Sequence, residues 1–176
     1  MNLVLTGFMG SGKSTVGKII AEKLGREYCD TDELIEKTAG MQINDIFKER
    51  GEAAFRLLES EIVKSVCEKS SAVISCGGGV VLNSQNIENL SKNGVIVYLY
   101  ASPEQIYERI KNEGHRPLLK CADPLNEIKR LLEQRREAYS NCDFSFDTGG
   151  LSAGEAAEKI LENNEIMKLI GKTKNN

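Results

Sequence analysis

The sequence predicts an α/β fold, a parallel sheet with helices on both faces. Five short apolar runs, near residues 2–6, 27–30, 72–76, 95–100 and 143–147, alternate with longer stretches of helical periodicity, the pattern of strand–helix–strand crossovers. The first run, Leu3 Val4 Leu5, ends in GFMGSGKST at residues 7–15, a glycine-rich turn that opens on an amphipathic helix. At 176 residues, 40% hydrophobic and 28% charged, the chain is long enough for one full core and short for two.

Taken in order, strand one delivers the chain to Gly7, Gly10, Gly12, Lys13 and Ser14, which fit G-x-x-x-x-G-K-[ST]. In that pattern glycines let backbone N–H groups curl around phosphate oxygens, and the anion sits at a helix start, where unpaired N–H groups favour negative charge. Lys13 reaches the terminal phosphates and the Ser14 hydroxyl can ligate Mg²⁺. The alternative is a turn that holds nothing. Four fixed positions match by chance in roughly one chain in a hundred of this length, and the flanking strand and helix argue further for a phosphate site. The helix from Lys13 to Leu24 turns Val16, Ile19, Ile20 and Leu24 inward, and Gly25 stops it.

Strand two ends in Asp30 Thr31 Asp32. Residues two apart in an extended segment point the same way, so both carboxylates face the phosphate loop. One can support Mg²⁺ and the other accept a hydroxyl proton; a helix cap or solvated turn is the competing reading. Helices over 33–39, 43–50 and 52–69 then fill about forty residues before strand three. One crossover needs far fewer, so this insert is a natural place for a second substrate. Within it, Arg56 and Glu59 are three apart and can pair, which would hold a guanidinium still for a carboxylate. An exposed ion pair explains the same spacing.

Strand three closes on Gly77 Gly78 Gly79, which permits close approach of backbone to a ligand or only a tight turn. It carries no terminal Asp, which moves the metal role toward Asp30. Helices follow over 84–92, 103–112, 125–139 and 153–163. Between two of them, at 111–123, Gly114, Pro117 and Pro124 bracket a polar loop that reads as a lid. Arg116 in that lid is placed to swing onto a transferring phosphoryl group, Arg109 precedes it, and His115 reads as lid surface. Arg135 and Arg136 share one helix with Tyr139, and spacing does not say which faces the site. Beyond about residue 163 the chain turns polar and lysine-rich and is expected to fray, with 166–176 as a tail after a single domain over 1–165.

A net charge of −3 gives no broad attraction to nucleic acid or anionic membrane. No run of about twenty apolar residues and no signal-peptide layout occur, so a cytoplasmic location is expected. Cys29, Cys67, Cys76, Cys121 and Cys142 lack C-x-x-C spacing and His115 stands alone. Neither a disulfide framework nor a zinc site is expected, and most of the cysteines should be small buried hydrophobes.

The ordered series GFMGSGKST, DTD, FRxxE, GGG, RPLL and RxxxY, over residues 2 to about 160, resembles shikimate kinase, a relative of the nucleoside monophosphate kinases. The resemblance implies a three-layer P-loop kinase fold, with a five-stranded sheet in the order 2-3-1-4-5, an insert over about 32–60 and the lid. It implies ATP-dependent phosphorylation of the shikimate 3-hydroxyl by a Mg²⁺-using enzyme, expected to be a monomer. By position it places ATP phosphates on Gly10, Ser11, Gly12, Lys13, Ser14 and Thr15. Mg²⁺ falls to Ser14 with Asp30 assisting through water, the lid arginine is Arg116, and Arg109 lies near adenine. Shikimate falls to Asp32, which would also help deprotonate the attacking hydroxyl, to Arg56 and Arg135 as a carboxylate clamp, and to the backbone of Gly77, Gly78 and Gly79. Arg135 is preferred to Arg136 because it stands four before Tyr139. The chain departs from the family at Gly149 Gly150 Leu151, where many members carry basic residues near the nucleotide. Two other classes compete: a kinase for a sugar acid or nucleoside monophosphate, and a guanine-nucleotide switch, whose N-K-x-D stretch is absent.

Overall fold

The computed structural model describes residues 1–112 and 121–171. Strands β1 (Asn2–Thr6), β2 (Tyr28–Asp30), β3 (Val73–Ser75), β4 (Gly94–Tyr100) and β5 (Phe144–Asp147) form one sheet in the order β2-β3-β1-β4-β5, every pair parallel. This is the predicted α/β architecture. The strands are apolar almost throughout because the sheet is covered on both sides. Leu3, Leu5, Val73, Val95, Val97 and Leu99 pack on one face against α1 (Lys13–Leu24) and a later helix, α8 (Ala153–Leu161). Val4, Ile74 and Ile96 point the other way, into a core shared with α3 (Ile43–Cys67), α4 (Ser84–Ser91) and α5 (Pro103–Ile110). Before α4 a 3₁₀ turn covers Val80–Leu82.

The register brings functional positions to one edge. Leu5 and Asp30 both align with Ser75, so the loops after β1, β2 and β3 leave the sheet side by side. That is the carboxyl edge, where open parallel sheets hold their ligands.

The insert consists of α2 (Thr31–Ala39) and the first turns of α3. It has a small core of its own, Ile35, Ile46 and Phe55. The separate helices expected over 43–50 and 52–69 follow one another across Gly51, whose φ of 79° breaks the helix. Conversely, the helix expected over 125–139 is two, α6 (Pro124–Gln134) and α7 (Arg136–Ser140), with Arg135 non-helical between them.

Two expectations are corrected. Asp32 is not in an extended segment: α2 begins at Thr31, because the Asp30 carboxylate caps it by accepting the Asp32 N–H at 3.0 Å. The polar tail beyond residue 163 is also wrong in its first part, since α9 (Asn164–Ile170) is a capped helix with Ile166 and Ile170 buried. Burying an isoleucine is worth about 2 kcal/mol, which holds this short helix against the face carrying Leu3 and Val95. The proposed lid over 111–123 falls mostly on 113–120, so Arg116 and His115 lie outside the described residues. Cys29 and Cys76 are buried, Cys67 and Cys142 half-buried and Cys121 exposed, with no disulfide among them. No helix among the described residues is long and apolar enough to cross a membrane.

Candidate active site

The loop after β1 takes shape because its glycines adopt backbone angles that other residues resist. Gly10 has φ 75°, and a Cβ there would stand 2.7 Å from the Ile110 side chain. Gly12 caps α1 without any side-chain oxygen, so the helix start is open to an outside acceptor. Lys13 is folded back into this bowl: it is 8% exposed and its Nζ donates to the Phe8 carbonyl at 3.0 Å.

Beside the bowl, oxygen atoms gather. Ser14 Oγ donates to Asp30 Oδ2 at 2.9 Å and lies 3.5 Å from Ser75 Oγ, and Tyr28 OH donates to the same carboxylate oxygen at 2.9 Å. Asp30 thus serves as helix cap through one oxygen, which is the competing reading of it, and as acceptor for Ser14 through the other. Hard oxygen donors of this kind suit Mg²⁺. Among the described residues no group of three His, Cys, Asp or Glu is arranged to hold an ion.

Asp32 sits one helical step beyond. Burial first, then the Asp30 carboxylate, push its carboxyl up to about 6, with Lys13 pulling the other way. Asp32 Oδ1 lies against Gly77, where a Cβ would overlap it. Gly77 N–H in turn donates to Thr31 Oγ1 at 2.9 Å, so the DTD and GGG segments are tied together.

The insert supplies the guanidinium. Arg56 donates to Glu59 Oε2 at 2.9 Å and to Glu52 at 3.2 Å. The exposed ion pair is excluded, because Glu59 is 1% exposed. Burial raises the Glu59 carboxyl above the usual range while Arg56 and Arg135 oppose the rise. Arg56 Nη1 would stand 2.5 Å from a Cβ on Gly79, so a larger residue there would push the guanidinium out of this position. Arg135 approaches from the break between α6 and α7, its guanidinium 5.7 Å from the centre of the Phe8 ring. Arg136 instead points to solvent and pairs with Glu133. Tyr139 closes the floor, with its hydroxyl donating to the Gly78 carbonyl at 2.6 Å. Lys13, Asp30, Asp32, Arg56, Arg135 and the three glycines are therefore brought to one cleft.

The shikimate kinase family model matches residues 9–165 of this chain. The chain belongs to that family. The shikimate kinase of Thermodesulfovibrio yellowstonii is 48% identical over 164 residues, 93% of this chain and 95% of that one. The one from Caldicellulosiruptor bescii is 51% identical over 160 residues, 91% and 93% of the two chains. Among solved structures, shikimate kinase from Acinetobacter baumannii in complex with shikimate superposes with a TM-score of 0.90 at 35% identity, covering 97% of this chain and 95% of that one. A gluconokinase from Sinorhizobium meliloti, at 17% identity and a TM-score of 0.59, shares the fold alone.

In this member of the family, the phosphate-type loop has partners that motifs did not reveal. Arg109 donates to the Gly10 carbonyl at 3.1 Å and, through its other nitrogen, to the Thr148 carbonyl at 2.6 Å. Thr148 belongs to none of the sequence motifs. Ser75 and Tyr28 were also missed. The sequence carries a signal for Tyr28, which is two before Asp30 and shares its face, whereas Ser75 is set beside Asp30 only by the parallel register of β2 and β3.

Proposed function

We propose that this chain transfers the γ-phosphoryl group of ATP to the 3-hydroxyl of shikimate, giving shikimate 3-phosphate and ADP in aromatic amino-acid biosynthesis. The observation that carries the reading is the meeting of a phosphate-type loop, a carboxylate pushed up to about 6 and two arginines, one held by Glu59 and one beside Phe8 of the loop. A nucleotide switch has no use for the last two. The family match supports the choice of acceptor.

In this reading, backbone N–H groups over Gly10–Thr15 and the Lys13 ammonium bind the ATP phosphates. Mg²⁺, held by Ser14 and Asp30, would supply charge neutralisation at the phosphate oxygens. Arg56, kept in place by Glu59, and Arg135 take the shikimate carboxylate with planar, paired hydrogen bonds, and the Gly77–Gly79 backbone leaves room for the ring. Asp32 accepts the proton of the 3-hydroxyl while that oxygen bonds to the γ-phosphorus and the bond to the β-phosphate oxygen breaks. A carboxyl near 6 is largely ionised at neutral pH yet basic enough to help. Charge growing on the phosphoryl oxygens is met by Lys13 and by Arg116 from the lid. Arg109 flanks the base. We read the enzyme as a cytoplasmic monomer, which light scattering of the purified protein tests as to size.

The deciding experiment measures ADP release with ATP and Mg²⁺ against shikimate, gluconate and AMP. Shikimate-dependent release is expected. No turnover above background with shikimate would overturn the substrate, and acceptor-independent hydrolysis alone would point to a switch.

A further inference from the structure

A loop that offers N–H groups to an anion must turn its carbonyls outward and find partners for them. Here the Gly10 carbonyl is taken by Arg109, and the Ser11 carbonyl accepts from Thr148 Oγ1 at 3.2 Å. Ser11 is wholly buried and Thr148 only 3% exposed, so water is a poor substitute at this joint. No described peptide bond is cis. In a trans peptide the C=O and N–H point opposite ways, so holding the Ser11 oxygen on the outer side directs the Gly12 N–H to the inner side, toward the bowl.

The Thr148 hydroxyl has one proton and two carbonyls in reach, Ser11 at 3.2 Å and Tyr100 at 3.0 Å. Tyr100 already receives the Thr148 backbone N–H at 2.8 Å. The Ser11 carbonyl is the one that needs the hydroxyl. Thr148 Oγ1 itself accepts from Arg109 Nη1 at 3.1 Å, which seats the arginine that holds Gly10. A cavity of about 130 Å³ opens on this joint, lined by Ser11, Gly12, Thr15, Arg109, Thr148 and Leu151. Because Gly149 and Gly150 bring no side chains, the hydroxyl before them is the polar group the loop after β5 sends to the phosphate loop.

We propose that Thr148 is a positioning residue for nucleotide binding: its hydroxyl orients the Ser11–Gly12 peptide so that the Gly12 N–H faces the phosphates, and it sets Arg109 against the loop. The proposal rests on the phosphate-loop reading given above. It acts on the ATP side alone, because Thr148 makes no contact with Arg56, Arg135 or Asp32.

The test is steady-state kinetics on the full chain, with KM for ATP and for shikimate measured separately, and ADP affinity by calorimetry. Thr148→Val keeps the volume and loses the hydroxyl. It should raise KM for ATP and weaken ADP by about tenfold, the effect of losing one buried hydrogen bond, with KM for shikimate within about twofold. Thr148→Ser keeps the hydroxyl and should stay near the parent. A residue needed only for packing gives the reverse order, Val tolerated and Ser impaired, and that result overturns the proposal. So does an unchanged KM for ATP in Thr148→Val. Should Thr148→Val fail to fold, Thr148→Ala and Thr148→Ser decide by the same criterion: Ala weakened with Ser parental supports the proposal, and the two alike overturns it. Lys13→Met separates the premises. Loss of ADP binding there with Thr148→Val parental overturns the Thr148 role alone, whereas retained binding in both variants overturns the phosphate loop as well.

Discussion

Asp32→Asn should abolish most activity and yet make the protein more stable, because the carboxylate is held where its charge is costly. Its carboxyl is raised from 3.8 to about 6, first by burial and then by Asp30, Glu59 and Glu36, with Lys13 only partly offsetting them. At about 1.4 kcal/mol per pKa unit, the shift corresponds to a ceiling of about 3 kcal/mol, or about 2 kcal/mol once solvent on its exposed flank is allowed for. The sign follows from proton uptake. Between pH 4 and 6 the folded protein binds a proton that the unfolded chain has released, so the penalty grows as pH rises and is complete above about 6. Below about 4 both states are protonated and the difference vanishes. Thermal unfolding of parent and Asp32→Asn at pH 8 should therefore differ by about 4–8 °C in favour of the variant for a chain of this size, and by much less at pH 4. Equal Tm values at pH 8, or a gain that does not depend on pH, would refute the reasoning.

The same carboxyl should impose an acid limb on kcat/KM for shikimate, with activity falling about tenfold per pH unit below about 6 and the limb disappearing in Asp32→Asn. Lys13→Met removes a cation from the developing charge and should cost about a hundredfold or more in kcat with the circular dichroism spectrum unchanged. Gly79→Ala places a methyl 2.5 Å from Arg56 Nη1; KM for shikimate should rise about tenfold or more as the guanidinium is displaced, while KM for ATP stays put. Arg116→Ala should lower kcat about a hundredfold in a folded protein, and near-normal turnover would remove its lid role.

Much of this was legible in the sequence because the fold repeats one local grammar. Unbroken apolar runs such as Leu3–Leu5 and Val95–Val97 mark strands covered on both faces, and the glycine pattern places the loop before any tertiary contact is known. What stayed hidden depends on pairing across the sheet or on burial. Ser75 is unremarkable in sequence and acquires meaning only when parallel register sets it beside Asp30. The Arg56–Glu59 spacing is identical for a solvent-exposed pair and for one sunk under the insert, and nothing local separates them. Helix α9 was lost for another reason. Its Ile166 and Ile170 carry the i,i+4 signal, but the polar residues around them outweigh it until a hydrophobic face is available to dock on.

The cleft gathers Asp30, Asp32 and Glu59 against Lys13, Arg56 and Arg135, and the balance is deliberately incomplete. Glu59 Oε2 is satisfied by Arg56, while its buried Oε1 has no hydrogen-bond partner, a state that costs about 1–3 kcal/mol. Such an oxygen cannot be pacified by solvent at 1% exposure. Its charge nonetheless keeps two guanidinium groups near it without neutralising either one fully, since each retains donors for a ligand. On the proposed reading, a substrate carboxylate entering between Arg56 and Arg135 would meet partly buried cations, the first already held by Glu59, so less ordering would remain to oppose binding. On that reading the strain in the free enzyme would be the counterpart of its grip on an anionic acceptor. Replacing Glu59 by an apolar residue would relieve the first only by loosening the second.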